Sequence, residues 1–262
     1  MIVASFRSEW VKLRRHTLLL GTFGGLALAA SIFGILVFTQ AAPVGPGSAD
    51  LPSLQTLAQP NGLIHGLTRA IVLLGIIAFG IAAAQIATEY SLGTLRQLLV
   101  RQPRRAVLLV GKYLGVISFM VSAVVFAAVV TGGVAIVMAH VRHVPVGAWF
   151  SSTGMGDLTR ALGELLLSVV GFATLGLAVG LFLRSSVFAV IVGFAYLVPV
   201  ESIIGRILPA TNRWLPGQLL VAVGQGGNST TSFGRALLLS GLYLTAVSGM
   251  TVYAFVRRDV TA

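Results

Sequence analysis

Ala161–Leu183 reads ALGELLLSVVGFATLGLAVGLFL. A segment that crosses a bilayer needs about 20 apolar residues at a rise of about 1.5 Å each. Lipid offers the backbone no partners, so every N–H and C=O must be satisfied within the segment. This stretch has the length. Within it, Leu165–Val179 lacks the alternation of apolar and polar residues over about ten positions that a membrane β-strand requires. Ala70–Ala84 lacks it too, so both predict helices. Working outward, six stretches qualify as spans: 17–39, 66–87, 113–139, 161–183, 187–204 and 236–256. The predicted fold class is therefore all-α, a polytopic membrane protein.

The rest of the composition agrees. The chain has 262 residues, 56% hydrophobic and only 10% charged. Soluble domains carry roughly 25% charged residues because their surfaces face water. A chain this poor in charge cannot cover a globule of its own size with polar groups, which excludes an ordinary soluble enzyme. Its 18 Lys and Arg against 7 Asp and Glu leave a net charge of +11. In so apolar a chain that excess reads as basic loops against anionic headgroups, and no nucleic acid is expected as a partner. There is no cysteine, so disulfides, thiolate metal sites and Cys nucleophiles drop out.

Orientation follows from where the cations fall. Arg7, Lys12, Arg14 and Arg15 precede the first span, and Arg96, Arg101, Arg104, Arg105 and Lys112 lie between the second and third. Arg184 sits between the fourth and fifth, and Arg257 and Arg258 follow the sixth. The positive-inside rule then puts both ends of the chain in the cytoplasm, as an even number of spans requires. The first apolar run is longer than the core of about 7–15 residues in a signal peptide, and five more spans follow, so it is expected to be retained. Of the outer segments, 40–65 reads as flexible because of Pro43, Gly45, Pro46 and Gly47.

Residues 1–16 predict an interfacial helix. Val3, Phe6, Trp10 and Leu13 are spaced to share one face, with Arg7, Ser8, Lys12 and Arg15 elsewhere. A helix with Trp on its apolar side and cations opposite lies in the headgroup plane. It either anchors the first span or acts as a lever between a cytoplasmic partner and the bundle. The loop 88–112, TEYSLGTLRQLLVRQPRRAVLLVGK, carries the strongest signal. Glu89 stands at the membrane exit, Gly93 offers a turn, and 94–100 is expected to form a short helix with Leu95, Leu98 and Leu99 on one side. Pro103 stops it, and Arg104, Arg105 and Lys112 are expected to return to the lipid surface. Cations alone could be holding topology, but a leucine stripe outside the membrane needs lipid or a partner protein to cover it.

The pattern Glu89, Gly93-Thr94, Pro103, Arg105 and Lys112 resembles the permease subunits of ABC-2 type transporters, in a form common among bacterial drug and antibiotic exporters. The amphipathic start, with Phe6, Glu9, Trp10, Lys12 and Leu13, and the six spans fit the same family. The resemblance implies that 1–262 is a single transmembrane domain in a bacterial plasma membrane. It implies that 88–112, with Leu95, Arg96, Leu98 and Leu99 on its helix, docks as a coupling segment on a separate ATP-binding subunit. It also implies that 205–235, with Pro209, Trp214-Leu215-Pro216 and the apolar Leu219–Val223, dips back into the membrane. The assembly so implied has two ATPase subunits carrying ATP and Mg and a second permease subunit, identical or related. It sits in membrane lipid, and its cargo is a hydrophobic or amphipathic antibiotic, peptide or lipid.

No cofactor, metal or catalytic residue is expected on this chain. Its only Gly-Lys, Gly111-Lys112, is followed by Tyr113 and lacks the upstream glycine of a phosphate-cradling loop. His140 and His143 have one metal-site spacing but no third ligand. An intramembrane charge costs about 2.5–3.5 kcal/mol at a helix centre, which makes Glu164 and Glu201 the intramembrane polar candidates, with Gln85 a weaker third. Both carboxylates lie near the outer ends of their spans, where Arg160 and Arg206 are close enough in sequence to pair with them. Gly21/Gly25, Gly111/Gly115 and Gly176/Gly180 permit close helix approach, although 31 glycines make chance matches expected. The competing class is a proton-coupled carrier or intramembrane enzyme acting without an ATPase. It would need titrating or catalytic groups inside the spans, whereas the two carboxylates lie on different spans and no His lies deep.

Overall fold

The computed structural model describes residues 2–41, 52–91, 93–94 and 105–257. Among them no strand forms, and six helices are long and apolar enough to cross a membrane. A first helix, α1 (Ile2–Leu13), precedes the spans α2 (His16–Thr39), α3 (Ile71–Ser91), α4 (Arg105–Val141), α5 (Ser152–Leu183) and α6 (Ser186–Ile207). A short helix α7 (Pro216–Gly224) then leads to the last span, α8 (Phe233–Arg257). The chain is a multi-pass membrane protein.

Two helices start earlier than the apolar runs within them. Nothing between Ala106 and Lys112 breaks a helix, so α4 begins at Arg105 rather than at Tyr113. At the head of α5, the Ser151 hydroxyl accepts a hydrogen bond from the Gly154 N–H at 3.1 Å and caps the helix well before Ala161. The helix ends at Arg184, which takes a left-handed conformation (φ 56°). Within α6 the turn Tyr196–Val200 widens to a π-turn around Pro199, whose ring nitrogen has no N–H to donate.

The bundle is centred on α3 and α5, the two most deeply buried spans, while α2, α6 and α8 leave most of their surface outward. Small residues bring the central pair together. A Cβ on Gly176 would lie 2.2 Å from the Phe79 carbonyl oxygen, and one on Gly180 would lie 2.6 Å from that of Ala83, so the two backbones touch. Gly21 and Gly25, with the same spacing on α2, face nothing within 4 Å. At one end of the bundle the fully buried Trp149 donates its indole N–H to the Leu57 carbonyl at 2.8 Å and meets Phe38 edge-on at 6.3 Å. At the other end Tyr90, Arg184 and Phe255 line one small cavity, with the Arg184 guanidinium 5.4 Å above the Tyr90 ring. That places the end of α8 beside the ends of α3 and α5.

Candidate functional site

α1 is seated through its polar side. Ser5, Glu9 and Leu13 are buried one turn apart, whereas Val3 and Val11 are exposed. Phe6 and Trp10 are half-buried and stack on each other at 6.0 Å. The face that meets the protein is thus centred on Ser5 and Glu9 rather than on Val3 and Phe6, with Leu13 shared by both faces and Trp10 packing on the core from the side. The reason lies on α4. A Cβ on Gly111 would lie 2.4 Å from the Ser5 Cβ, and one on Gly115 would lie 2.9 Å from the Glu9 Cβ. The glycine pair thus forms a slot into which Ser5 and Glu9 fit, and the Ser5 hydroxyl also donates to the Leu108 carbonyl at 3.4 Å. Filling the slot should displace the helix. Overpacking of this kind costs about 1–3 kcal/mol, so Gly111→Val is expected to speed tryptic cleavage at Arg14 and Arg15 about tenfold. Gly21→Val, facing open space, should leave the rate unchanged.

The slot delivers Glu9 to a closed set of four charges. The Lys112 ammonium donates to Glu9 Oε1 at 2.8 Å and to Glu89 Oε1 at 2.5 Å. The Lys12 ammonium donates to the same two oxygens, at 2.8 and 2.6 Å. The side chains of Lys112 and Glu9 are only 2% and 3% exposed, that of Glu89 9%, and that of Lys12 32%. Two cations and two anions balance, which is what lets charges this deep persist: an isolated buried charge would be prohibitive. Burial costs the Lys12 ammonium, but its hydrogen bonds to Glu89 and Glu9 outweigh that cost and hold its pKa above the ordinary lysine value of 10.5. A raised lysine pKa stabilises fully below the free value and is lost only as pH rises through the folded one. Lys12 therefore stays charged throughout the neutral range.

The four residues come from three places: Glu9 and Lys12 from α1, Glu89 from the last turn of α3, and Lys112 from the second turn of α4. Glu89 and Lys112 flank the segment between α3 and α4, so their pairing closes that segment at its base, and α1 is tied to the closure. Lys112 does not return to the lipid surface as expected. Its neighbours on α1 and α3 supply two carboxylates that lipid could not. Gly93, in a left-handed conformation (φ +66°), donates its N–H to the Tyr90 carbonyl and ends α3. The Thr94 hydroxyl donates to the Glu89 carbonyl at 3.4 Å. Leu95, Arg96, Leu98, Leu99 and Pro103 lie outside the described residues, and α4 begins at Arg105.

The intramembrane candidates separate. Glu164 accepts from Arg160 Nε at 2.8 Å one helical turn away, the local pairing expected for it. It lines an open polar cavity of about 710 Å³ with His65, Asp157 and Gln225, where burial and the nearby Arg69 push the His65 imidazole below its usual pKa. Glu201 is fully buried and does not pair with Arg206, which is exposed. It accepts instead from the backbone N–H groups of Gly217 and Gln218, both at 2.9 Å. Gln85 is half-buried on α3. No group of three or more metal-ligating side chains occurs among the described residues. Sequence reasoning missed Ser5 and the role of Gly111 and Gly115. The matching four-residue steps, Ser5–Glu9 and Gly111–Gly115, were the available signal.

The family described as ABC-2 family transporter protein matches residues 5–200, a stretch that includes all four charges and the glycine slot. No curated protein matches the chain.

Proposed function

Since the chain belongs to the ABC-2 transporter family, we propose that it is the permease subunit of an exporter, worked by a separate ATP-binding subunit. Members of this family are transport subunits that generally work with ABC ATPases. The finer reading is that two such ATPases, carrying ATP and Mg, act on a pair of permeases in a bacterial plasma membrane. The path between the permeases carries a hydrophobic or amphipathic cargo. In this reading the end bearing the four charges is cytoplasmic, which the basic residues beside α1 and between α3 and α4 support, and 205–235 is an outer segment in which α7 is too short to span.

The observation that carries this reading is the four-charge set. It joins α1 to both ends of the segment 92–104, so a push on that segment moves α1, α3 and α4 as one body. Such a connection suits a bundle driven from beneath between two rigid arrangements. The proton-carrier alternative is weakened, because Glu164 is already held by Arg160 and Glu201 by two backbone amides.

The test is Gly93→Leu in vesicles containing the chain and the ABC ATPase that co-purifies with it. A leucine at φ +66° is strained by about 1–2 kcal/mol, so the base of the segment must shift. Membrane insertion and ATP hydrolysis should persist while transport falls at least about tenfold. Wild-type transport by the variant, or transport by the chain with no ATPase present, defeats the proposal.

A further inference from the structure

Two open cavities lie end to end on this single chain, where α4, α5 and α8 meet. One, of about 290 Å³, runs from Ile86 and Leu181 to Val252; the other, of about 360 Å³, is bounded by Leu167, Leu220 and Leu237. Tyr113, Thr174 and Ser248 line both. Their walls are apolar, and among the described residues no charged side chain lines either one. Together they run beside α8 from Ser240 to Thr251, about 16 Å at the helical rise. The combined space falls in the range of ordinary small-molecule pockets, about 300–1,000 Å³.

The polar groups in this space are hydroxyls, and their hydrogen bonds fix what remains free. The Thr174 hydroxyl donates to the Val170 carbonyl at 2.7 Å, so across the 2.8 Å contact with Thr174 the Tyr113 hydroxyl is the donor. The Tyr113 oxygen is then left as an acceptor. The Thr251 hydroxyl likewise donates to the Val247 carbonyl at 2.6 Å and keeps its acceptor capacity. Ser240, only 4% exposed, lines the second cavity with its Oγ buried and unpartnered. A buried hydroxyl without a partner is costly, and occupation by a ligand that bonds it removes that cost.

We infer that this space is a binding site for an uncharged single-chain amphiphile, a slender apolar tail carrying a hydroxyl or ester group. The ligand's O–H donates to Tyr113 or Thr251, its carbonyl or hydroxyl oxygen accepts from Ser240, and its tail lies against Leu177, Leu181 and Leu244. An ammonium or carboxylate has no counter-charge there and is excluded by desolvation. The site is formed by one chain and does not rest on the exporter reading.

The experiment uses the full chain in phosphatidylcholine nanodiscs and a monoacylglycerol carrying a photoactivatable diazirine on its tail, with labelled peptides mapped by mass spectrometry. Saturable labelling is expected in the segments around Leu177 and Ser248, competed by unlabelled monoacylglycerol. The matching fatty acid and alkyl-trimethylammonium probes should label at least about tenfold less. Ser248→Phe, which fills the junction of the two cavities, should lower labelling about tenfold or more. Ser240→Ala should weaken affinity about fivefold, the equivalent of one hydrogen bond, while leaving the unliganded protein as stable or more so. A purely structural serine would not give those opposite signs. Unsaturable labelling over lipid-facing side chains, equal labelling by the charged probes, or indifference to both variants overturns the inference. Because this arm needs no ATPase, its failure leaves the permease reading untouched. In vesicles holding the whole transporter, an ATP-dependent fall in labelling identifies the occupant as cargo, and constant labelling identifies a resident lipid; both support the site.

Discussion

Lys112→Met is expected to release α1 from the bundle while leaving the six spans inserted. Lys112 is the deepest of the four charges and holds one oxygen of each carboxylate. Without it, Glu9 and Glu89 share only the partly exposed Lys12, and one buried negative charge is left uncompensated. Breaking a buried pair by removing a single partner costs about 3–5 kcal/mol, which is large against the packing of a twelve-residue helix. Methionine retains the volume of the lysine stem, so the loss is of charge rather than of packing. The measurement is hydrogen exchange of the amides of residues 2–13, whose protection should fall about a hundredfold or more. The triple variant Glu9→Gln, Glu89→Gln, Lys112→Met removes the uncompensated charge, and the remaining Lys12 can turn to water, so it should be less damaging than Lys112→Met alone. That reversal distinguishes a charge network from a packing contact, since losses of packing at three positions would accumulate. Unchanged protection in Lys112→Met defeats the assignment.

The spans were legible because length and apolarity suffice for them. The run 17–39 appears as His16–Thr39, and six helices qualify as expected. The charge network was legible only as separate residues. Glu9, Lys12, Glu89 and Lys112 each stood out in the sequence, but 77 residues separate Lys12 from Glu89 and 103 separate Glu9 from Lys112, and only the folded helices bring them together. The polar seat of α1 on the protein was not legible in the sequence, for a physical reason. In water an amphipathic helix turns its apolar side to the protein; beside a membrane the apolar side can go to lipid, and the polar side is free to meet the protein. Val3 and Val11 accordingly face outward while Ser5 and Glu9 face α4. Glu201 was misassigned because chain proximity suggested Arg206. Tyr196, five residues earlier, hydrogen-bonds it, and its other partners are backbone N–H groups, which leave no mark in the residue types. The leucine stripe at Leu95, Leu98 and Leu99 lies outside the described residues, so the structure bears on its base, at Gly93 and Lys112, rather than on the stripe.

Glu201→Ala is expected to loosen α7 and leave α1 untouched. The first amides of a helix have no partner within it and carry the positive end of its dipole. In α7, Pro216 occupies the first position and has no N–H, and the next two amides, of Gly217 and Gln218, both point to the Glu201 carboxylate, one to each oxygen. The approach is close enough that a Cβ on Gly217 would lie 2.6 Å from Glu201 Oε2, so a glycine is needed there for the carboxylate to fit. A fully buried carboxylate on α6 thus acts as the cap of a helix on another segment. Removing it strands two donors, at about 1–3 kcal/mol for each buried group left unsatisfied. Exchange of the Gly217 and Gln218 amides should therefore rise by at least about tenfold in Glu201→Ala, with residues 2–13 unaffected because no charge near α1 has changed. Glu201→Gln keeps one carbonyl acceptor and the shape of the side chain, so its exchange should fall between wild type and alanine. Equal exchange in Gln and Ala would show that charge alone matters there, and unchanged exchange in both would show that α7 is held by Leu219, Leu220 and Val223 in the core. A graded response instead means that α7 and the outer end of α6 are linked through this one carboxylate, so that any shift of α6 beyond its π-turn must carry α7 with it.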